Sequence, residues 1–223
     1  MCSLGAQRQK VTFGAVGSGT GQFRGPHGVA VSDEGDIFVA DNRNQRIQVF
    51  TLQGTFVPTV LSSEQKMYPH DVALDGEGNL WVVGNLWVVG DTKTDDGSTV
   101  GQQRMKKLLY VTVDGEGNIL VSDCLNHCVF VYNEDGQFQF KFGGEGSFEG
   151  RLKWPQGICT DTAGNIIVAD WGNSRVEMFD KTGQFLEHIT TDMGRPWAVA
   201  MATQGHLVVT NREENRVSIF HNF

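Results

Sequence analysis

What this 223-residue chain lacks excludes several chemistries before any fold is considered. No run of 18 apolar residues occurs and no cationic, apolar leader opens the chain, so neither a membrane span nor secretion is expected. Cysteine is scarce: Cys2, Cys124, Cys128 and Cys159 form no C-x-x-C pair. Buried reduced thiols are therefore expected rather than a metal or redox site, which points to the cytoplasm. There is no Gly-x-Ser-x-Gly elbow, no phosphate-binding loop and no pair of carboxylates placed as acid and base, so catalysis is not expected. No window sustains a 3.6-residue apolar period, which removes helices and leaves an all-β chain.

What is present is repetition. Five copies of one pattern begin near Pro26, Pro69, Leu108, Pro155 and Pro196, and each opens an apolar run that reaches a turn glycine at Gly35, Gly78, Gly117, Gly164 or Gly205. The opening runs align without slippage, from Gly28-Val29-Ala30-Val31 through Gly157-Ile158-Cys159-Thr160 to Ala198-Val199-Ala200-Met201. A second apolar run, a polar hairpin, a third run such as Arg46 to Phe50, another Gly turn and an aromatic strand such as Phe138 to Phe142 complete the unit. Four short strands at a spacing of roughly 40 residues match a propeller blade. The last copy ends one strand short, while Val11 to Phe13 is a spare strand at the start, and Gly14 to Pro26 equals Gly143 to Pro155 in length. That equality predicts an N-terminal strand that completes the last blade and hides its edge.

The blocks Ala40-Asp41-Asn42-Arg43-Asn44-Gln45-Arg46-Ile47 and Ala169-Asp170-Trp171-Gly172-Asn173-Ser174-Arg175-Val176, each behind a Pro-x-Gly strand, resemble NHL repeats. From about Lys10 the whole chain is similar to the C-terminal propeller of tripartite-motif (TRIM-NHL) proteins. The expected organisation is a short tail, 1–9, and one propeller domain, 10–223, with five countable blades. The resemblance implies a six-bladed ring, so an alternative is that one blade is lost or degraded near 84–107. Copy two is irregular there: Gly78-Asn79-Leu80-Trp81-Val82-Val83 recurs as Gly84-Asn85-Leu86-Trp87-Val88-Val89. The repeat can form a tight hairpin turning at Gly84-Asn85, or it can bulge out of the blade.

The net charge of -8 argues against a polyanionic partner until the charges are placed on the repeat. Asp33, Glu34, Asp75, Glu77, Asp114, Glu116, Asp161 and Asp180 fall in turns on one rim, and Arg24, Arg43, Lys106, Lys107, Lys153, Arg195 and Arg212 on the other. Tyr68, Trp154, Trp171 and Trp197 join the basic rim. Cations beside rings suit a protein interface, where Trp, Tyr and Arg dominate the binding energy, and equally single-stranded or hairpin RNA, where they meet phosphates and bases. The same rings can instead wedge between blades as core. No DNA or membrane partner is expected, and no cofactor or metal. His27 and His70 belong to the same partner-binding rim and share one position in adjacent copies, but Leu109, Gln156 and Trp197 match them elsewhere, so a metal-dependent propeller hydrolase or lyase is the weaker alternative. Asp41 with Arg46 and Asp170 with Arg175 are expected as structural ion pairs across hairpins. The TRIM-NHL resemblance implies that such a propeller selects a protein substrate, or an RNA, for a ubiquitin ligase whose RING and B-box modules are not in this sequence.

Overall fold

The computed structural model describes residues 12–61, 67–84, 87–89, 106–190, 194–202, 205–211 and 213–220. The strands are short, and the chain reverses at almost every Gly and Asx turn. They are β1 (Ala15–Val16), β2 (Gln22–Phe23), β3 (Pro26–Val31), β4 (Asp36–Asp41), β5 (Arg46–Thr51) and β6 (Phe56–Leu61). Repeat two holds β7 (Pro69–Leu74), β8 (Leu80–Gly84) and β9 (Trp87–Val89), and repeat three β10 (Leu108–Val113), β11 (Ile119–Asp123), β12 (Cys128–Tyr132) and β13 (Phe138–Gly143). Then come β14 (Pro155–Thr160), β15 (Ile166–Asp170), β16 (Arg175–Phe179) and β17 (Phe185–Thr190), and finally β18 (Pro196–Met201), β19 (Leu207–Asn211) and β20 (Arg216–Phe220). Each repeat forms one antiparallel meander, so the chain is an all-β propeller of antiparallel blades.

The turns follow from residue chemistry. Asp75, Asp114 and Asp161 each accept hydrogen bonds from backbone N–H groups two and four residues on, closing the first hairpin of their repeats. The glycine that ends each of these turns, Gly78, Gly117 or Gly164, has φ between 81° and 85°, a left-handed geometry that costs glycine nothing. Lys181 of repeat four reaches Glu116 of repeat three at 2.9 Å, joining the two acidic turn sets on one rim.

Neighbouring sheets bury branched aliphatics between them. Ala40 and Ile47 meet Val72 and Val82 between repeats one and two, and Trp81 and Val83 meet Val111 and Val121 between repeats two and three. Val129 and Val131 meet Ile158 and Val168, and Val176 and Met178 meet Val199 and Val209. At roughly 2 kcal/mol for each buried side chain of this size, these layers dominate the stability of the arc.

The expected closure of the ring by Val11 to Phe13 falls partly outside the described residues. Among the described residues β3 packs on β7, β7 on β10, β10 on β14 and β14 on β18, but no comparable packing joins β18 to β3. The sheet β18-β19-β20 has no fourth strand among them; Val11 lies outside them, and Thr12 and Phe13 are not in a strand. The equal spacing nevertheless has a structural meaning. Ala15–Val16 pairs in parallel with Gln22–Phe23, and Glu145 bridges Leu152 in the same way in the equivalent loop ahead of repeat four. Phe13 stacks on Phe50 at 4.7 Å just as Phe142 stacks on Phe179 at 4.7 Å. Phe13 thus takes the place of an outer-strand residue belonging to whatever blade precedes repeat one.

The duplicated segment forms a hairpin, with Val83 opposite Val88 and Gly84 opposite Trp87. Gly84 pairs within the strand rather than in the turn, and 85–86 lie outside the described residues. The degraded-blade reading for 84–107 falls largely on 90–105, also outside them. Cys124, Cys128 and Cys159 are buried and unpaired. Burial pushes the thiols of Cys128 and Cys159 up to about 12. Cys2 lies outside the described residues. No helix among those residues is long and apolar enough to cross a membrane.

Candidate recognition rim and channel mouth

The rim opposite the acidic turns is shaped by a buried carboxylate at the end of the second strand of three repeats. Asp41 accepts from the Arg24 N–H at 2.8 Å, and Asp170 from the Lys153 N–H at 2.7 Å. Asp123 accepts from the N–H groups of Lys106 and Lys107 at 2.7 and 3.0 Å. Each carboxylate therefore fastens a basic lead-in loop to its own hairpin. The expected ion pairs are present, Arg46 to Asp41 and Arg175 to Asp170, both at 2.9 Å. Their reach is wider than a hairpin tie: Arg175 also donates to the carbonyls of Ser147, Phe148 and Arg151, and Arg46 to those of Gly19 and Gln22. In repeat three Cys128 stands in place of the arginine, and among the described residues Asp123 accepts from the lysine N–H groups and from the backbone and side chain of Asn126.

On repeats three to five these loops carry a continuous row of rings and cations. His127 accepts a hydrogen bond from the Trp154 N–H at 3.0 Å, and the Trp154 ring meets Trp171 edge-on at 5.7 Å. Lys153 lies 5.1 Å from the centre of the Trp154 ring, and the Arg195 guanidinium 4.5 Å from that of Trp171, both within cation–π range. Glu213 pairs with Arg195 at 2.6 Å. Trp154 is exposed and Trp171 half-buried, so neither ring is core.

Backbone strain marks the same row. Trp154 has φ 52° and Arg195 φ 42°, where the equivalent position of repeat one is Gly25 at φ 60°. A side chain in this region costs about 1–2 kcal/mol, and a following proline restricts it further. Trp154→Gly is accordingly expected to be about 1 kcal/mol more stable than Trp154→Ala, since both remove the ring and only glycine removes the strain. Paired thermal melts check this, and an alanine variant as stable as the glycine variant would rule the strain out.

Other predicted rim residues sit elsewhere. His27, His70, Lys107 and Trp197 line a cavity of about 540 Å³ with Gly28, Asp71, Leu109, Tyr110 and Gln156, drawn from the inner strands of all five repeats or the loop leading into them, so it is the mouth of the central channel. His27 and His70 approach to 3.2 Å between Nδ1 atoms, and among the described residues no group of three or more His, Cys, Asp or Glu forms a metal-binding cluster. Burial raises the Asp71 carboxyl to about 7, although it accepts from the Val111 N–H at 3.1 Å. Arg24 and Arg43 are exposed on the loops of repeat one, Tyr68 is exposed beside Pro69, and Lys106 is exposed ahead of β10. Arg212 lies outside the described residues.

The family model described as "NHL repeat" matches residues 23–50, 152–179 and 193–220. These are NHL repeats. The three matched stretches are those with an Asp or Asn five residues before an Arg, at Asp41/Arg46, Asp170/Arg175 and Asn211/Arg216. Relatives of the NHL chain are TRIM-NHL proteins. The Drosophila melanogaster protein brain tumor is 31% identical over 154 residues, which is 61% of this chain and 14% of that protein. The Homo sapiens E3 ubiquitin-protein ligase TRIM32 is 30% identical over 127 residues, 50% of this chain and 19% of that one. The Caenorhabditis elegans B-box type zinc finger protein ncl-1 is 52% identical over 54 residues, 22% of this chain and 6% of that one. The NHL chain therefore spans less than a fifth of each of these relatives. Among solved structures, virginiamycin B lyase from Staphylococcus aureus superposes with a TM-score of 0.71 at 16% identity, over 91% of this chain and 67% of that one, a likeness of fold.

Sequence reasoning missed two residues of the NHL rim. His127 occupies the left-handed position held elsewhere by Gln45, Ser174 and Asn215, and four unlike side chains at one site give no chemical pattern to notice. Glu213 is one of two adjacent acids in a rim counted as basic, and its pairing with Arg195 lowers the free positive charge there.

Proposed function

We propose that this propeller is a protein-recognition module that engages its partner through the row His127, Trp154, Trp171 and Arg195 with Lys153. The observation that carries this reading is the row itself: Trp154 edge-on to Trp171 and Arg195 over the Trp171 ring, held by anchored loops rather than by the core. Rigid amphipathic rings and arginine are the residue types that dominate protein interfaces. The relatives extend the reading. One is an E3 ubiquitin-protein ligase, so the partner is proposed to be a protein destined for ubiquitin transfer by modules outside these 223 residues. RNA binding is disfavoured by the net charge of -8 and by Glu213 seated on Arg195, which reduce attraction to phosphate.

The test compares the unaltered chain, Trp171→Ala/Arg195→Glu, and Lys181→Glu on the opposite rim. Proximity labelling in cells should find proteins lost with the first variant and kept with the second. Filter binding to a pool of short single-stranded RNA at two salt concentrations runs alongside. Partners indifferent to the rim variant would refute the reading. Tight RNA binding that falls steeply with salt and disappears with Trp171→Ala/Arg195→Glu would replace it.

A further inference from the structure

Two links of the rim row cross from one repeat to the next. Trp171, in the hairpin of repeat four, meets Arg195 ahead of repeat five, and His127, in the hairpin of repeat three, meets Trp154 ahead of repeat four. The first is a ring–cation contact, and a guanidinium keeps its charge at every physiological pH. The second is a hydrogen bond to an imidazole. A backbone N–H only donates, so the 3.0 Å bond from Trp154 requires Nδ1 of His127 to be unprotonated and places the hydrogen of the neutral ring on Nε2. The bond also fastens a residue in an unfavourable backbone region, since Trp154 has φ 52° directly before Pro155. Charged groups surround the histidine on several elements. Asp123, on its own hairpin, accepts from the N–H groups of Lys106 and Lys107. Lys141 lies on β13, and Glu145 and Arg151 lie in the loop whose Gly144 N–H donates to the His127 carbonyl. Lys153 stands next to Trp154. Among the described residues none of these side chains hydrogen-bonds to the imidazole, so the Trp154 N–H is the group that a proton on Nδ1 displaces.

We propose that His127 is a positioning residue that holds the row together only as a neutral imidazole, so that acidification unfastens Trp154 and with it the edge-on contact to Trp171. A proton on Nδ1 turns the acceptor into a donor, and two donors then face each other at hydrogen-bonding distance. The new charge also falls beside a cation. Lys153 already lies 5.1 Å from the centre of the Trp154 ring, and the imidazole centre 5.9 Å from it, so repulsion between the two cations offsets what the imidazolium gains from the ring. Histidine side chains in general change charge between about pH 5 and 8, which sets the range in which the link responds. The response is confined to this one link. Gln45, Ser174 and Asn215 hold the equivalent left-handed position in repeats one, four and five, and none of them titrates. Release of a partner by acid rests on the proposed function of the row, whereas the unfastening itself is a property of the chain alone.

Nuclear magnetic resonance of the full chain between pH 8 and pH 5 tests this, following the His127 ring, the Trp154 amide and the Trp171 indole N–H beside the variant His127→Asn. The oxygen of an asparagine side chain stands where Nδ1 stands and accepts at either pH, and Asn215 shows that this residue type takes the left-handed conformation here. Protection of the Trp154 amide from exchange, corrected for the intrinsic rate at each pH, should fall about tenfold in the parent with the midpoint of the His127 ring, and stay constant in the asparagine variant. The Trp171 indole resonance should move in the parent alone. Constant protection in the parent while the ring titrates would overturn the proposal. So would a His127 ring that stays neutral down to pH 5, or an asparagine variant that loses protection as the parent does. The parent titration decides by itself if the variant is unstable, and because no partner enters the measurement, its failure would leave the reading of the row as a docking surface standing.

Discussion

Asp170→Ala is expected to lower the unfolding free energy by about 3–5 kcal/mol, the usual cost of removing one partner from a buried charge pair. The carboxylate has no exposed surface and accepts from the Lys153 N–H, Asn173 and Arg175, so truncation orphans a backbone donor and a nearly buried guanidinium together. For a domain of this size the melting temperature should fall by about 10 °C. Asp170→Asn separates the two losses, because an amide oxygen can still accept from Lys153 but brings no charge to Arg175. Circular dichroism melts give the answer, and a change below about 1 kcal/mol for the alanine variant would mean that the loop from Gly146 to Lys153 is fastened by other means.

Glu177→Gln is expected to act in the opposite direction, increasingly as the pH rises from about 5 to about 8. Glu177 is buried beside Arg175 at 3.0 Å and His188 at 3.2 Å, yet neither carboxylate oxygen meets a donor in good hydrogen-bonding geometry. Burial raises its carboxyl to about 8, against the pull of Arg175. A folded-state value above the unfolded one means that the folded chain holds the proton more tightly. Stability associated with this group is therefore intact below about pH 4.5 and is lost as the pH climbs to about 8. The glutamine variant should match the parent near pH 5 and exceed it by about 2 kcal/mol at pH 8.5. Repeat one already carries that solution: Gln48, at the equivalent position, accepts from the Gly21 N–H and donates to the Gln22 carbonyl and to Asp41. Equal melting temperatures of parent and variant at both pH values would show that the buried proton carries no such cost.

Much of the fold was legible because strand register repeats. The positions of Val29, Val72, Val111, Ile158 and Val199 align by eye, and so do the turn glycines and the Asp–Arg spacing of five. Closure was not legible, since periodicity counts repeats without saying whether the first meets the last. The spacing from Gly14 to Pro26 drew attention to Phe13, which packs on Phe50 as Phe142 packs on Phe179, but it could not say whether that segment forms a strand or which repeat it would complete. The rim was legible in kind and not in detail. Trp154, Trp171 and Arg195 are recognisable as exposed types, while their stacking depends on left-handed residues at 154 and 195, and non-glycine residues give no sign of that in one sequence. His27, His70 and Trp197 were assigned to the rim by the same counting, and they line the cavity at the channel mouth.

Among the described residues repeats two, three and four each pack on two neighbours, while repeats one and five each show one such neighbour, and nearest-neighbour interfaces supply most of the stability of stacked repeats. Repeats three and four, each flanked by apolar layers on both sides, are then the most protected part of the molecule. Opening proceeds from the termini inward, and the row from His127 to Trp171 lies in the part that lets go last. A module of this build could release whatever is joined to either end without surrendering the loops that its partner reads.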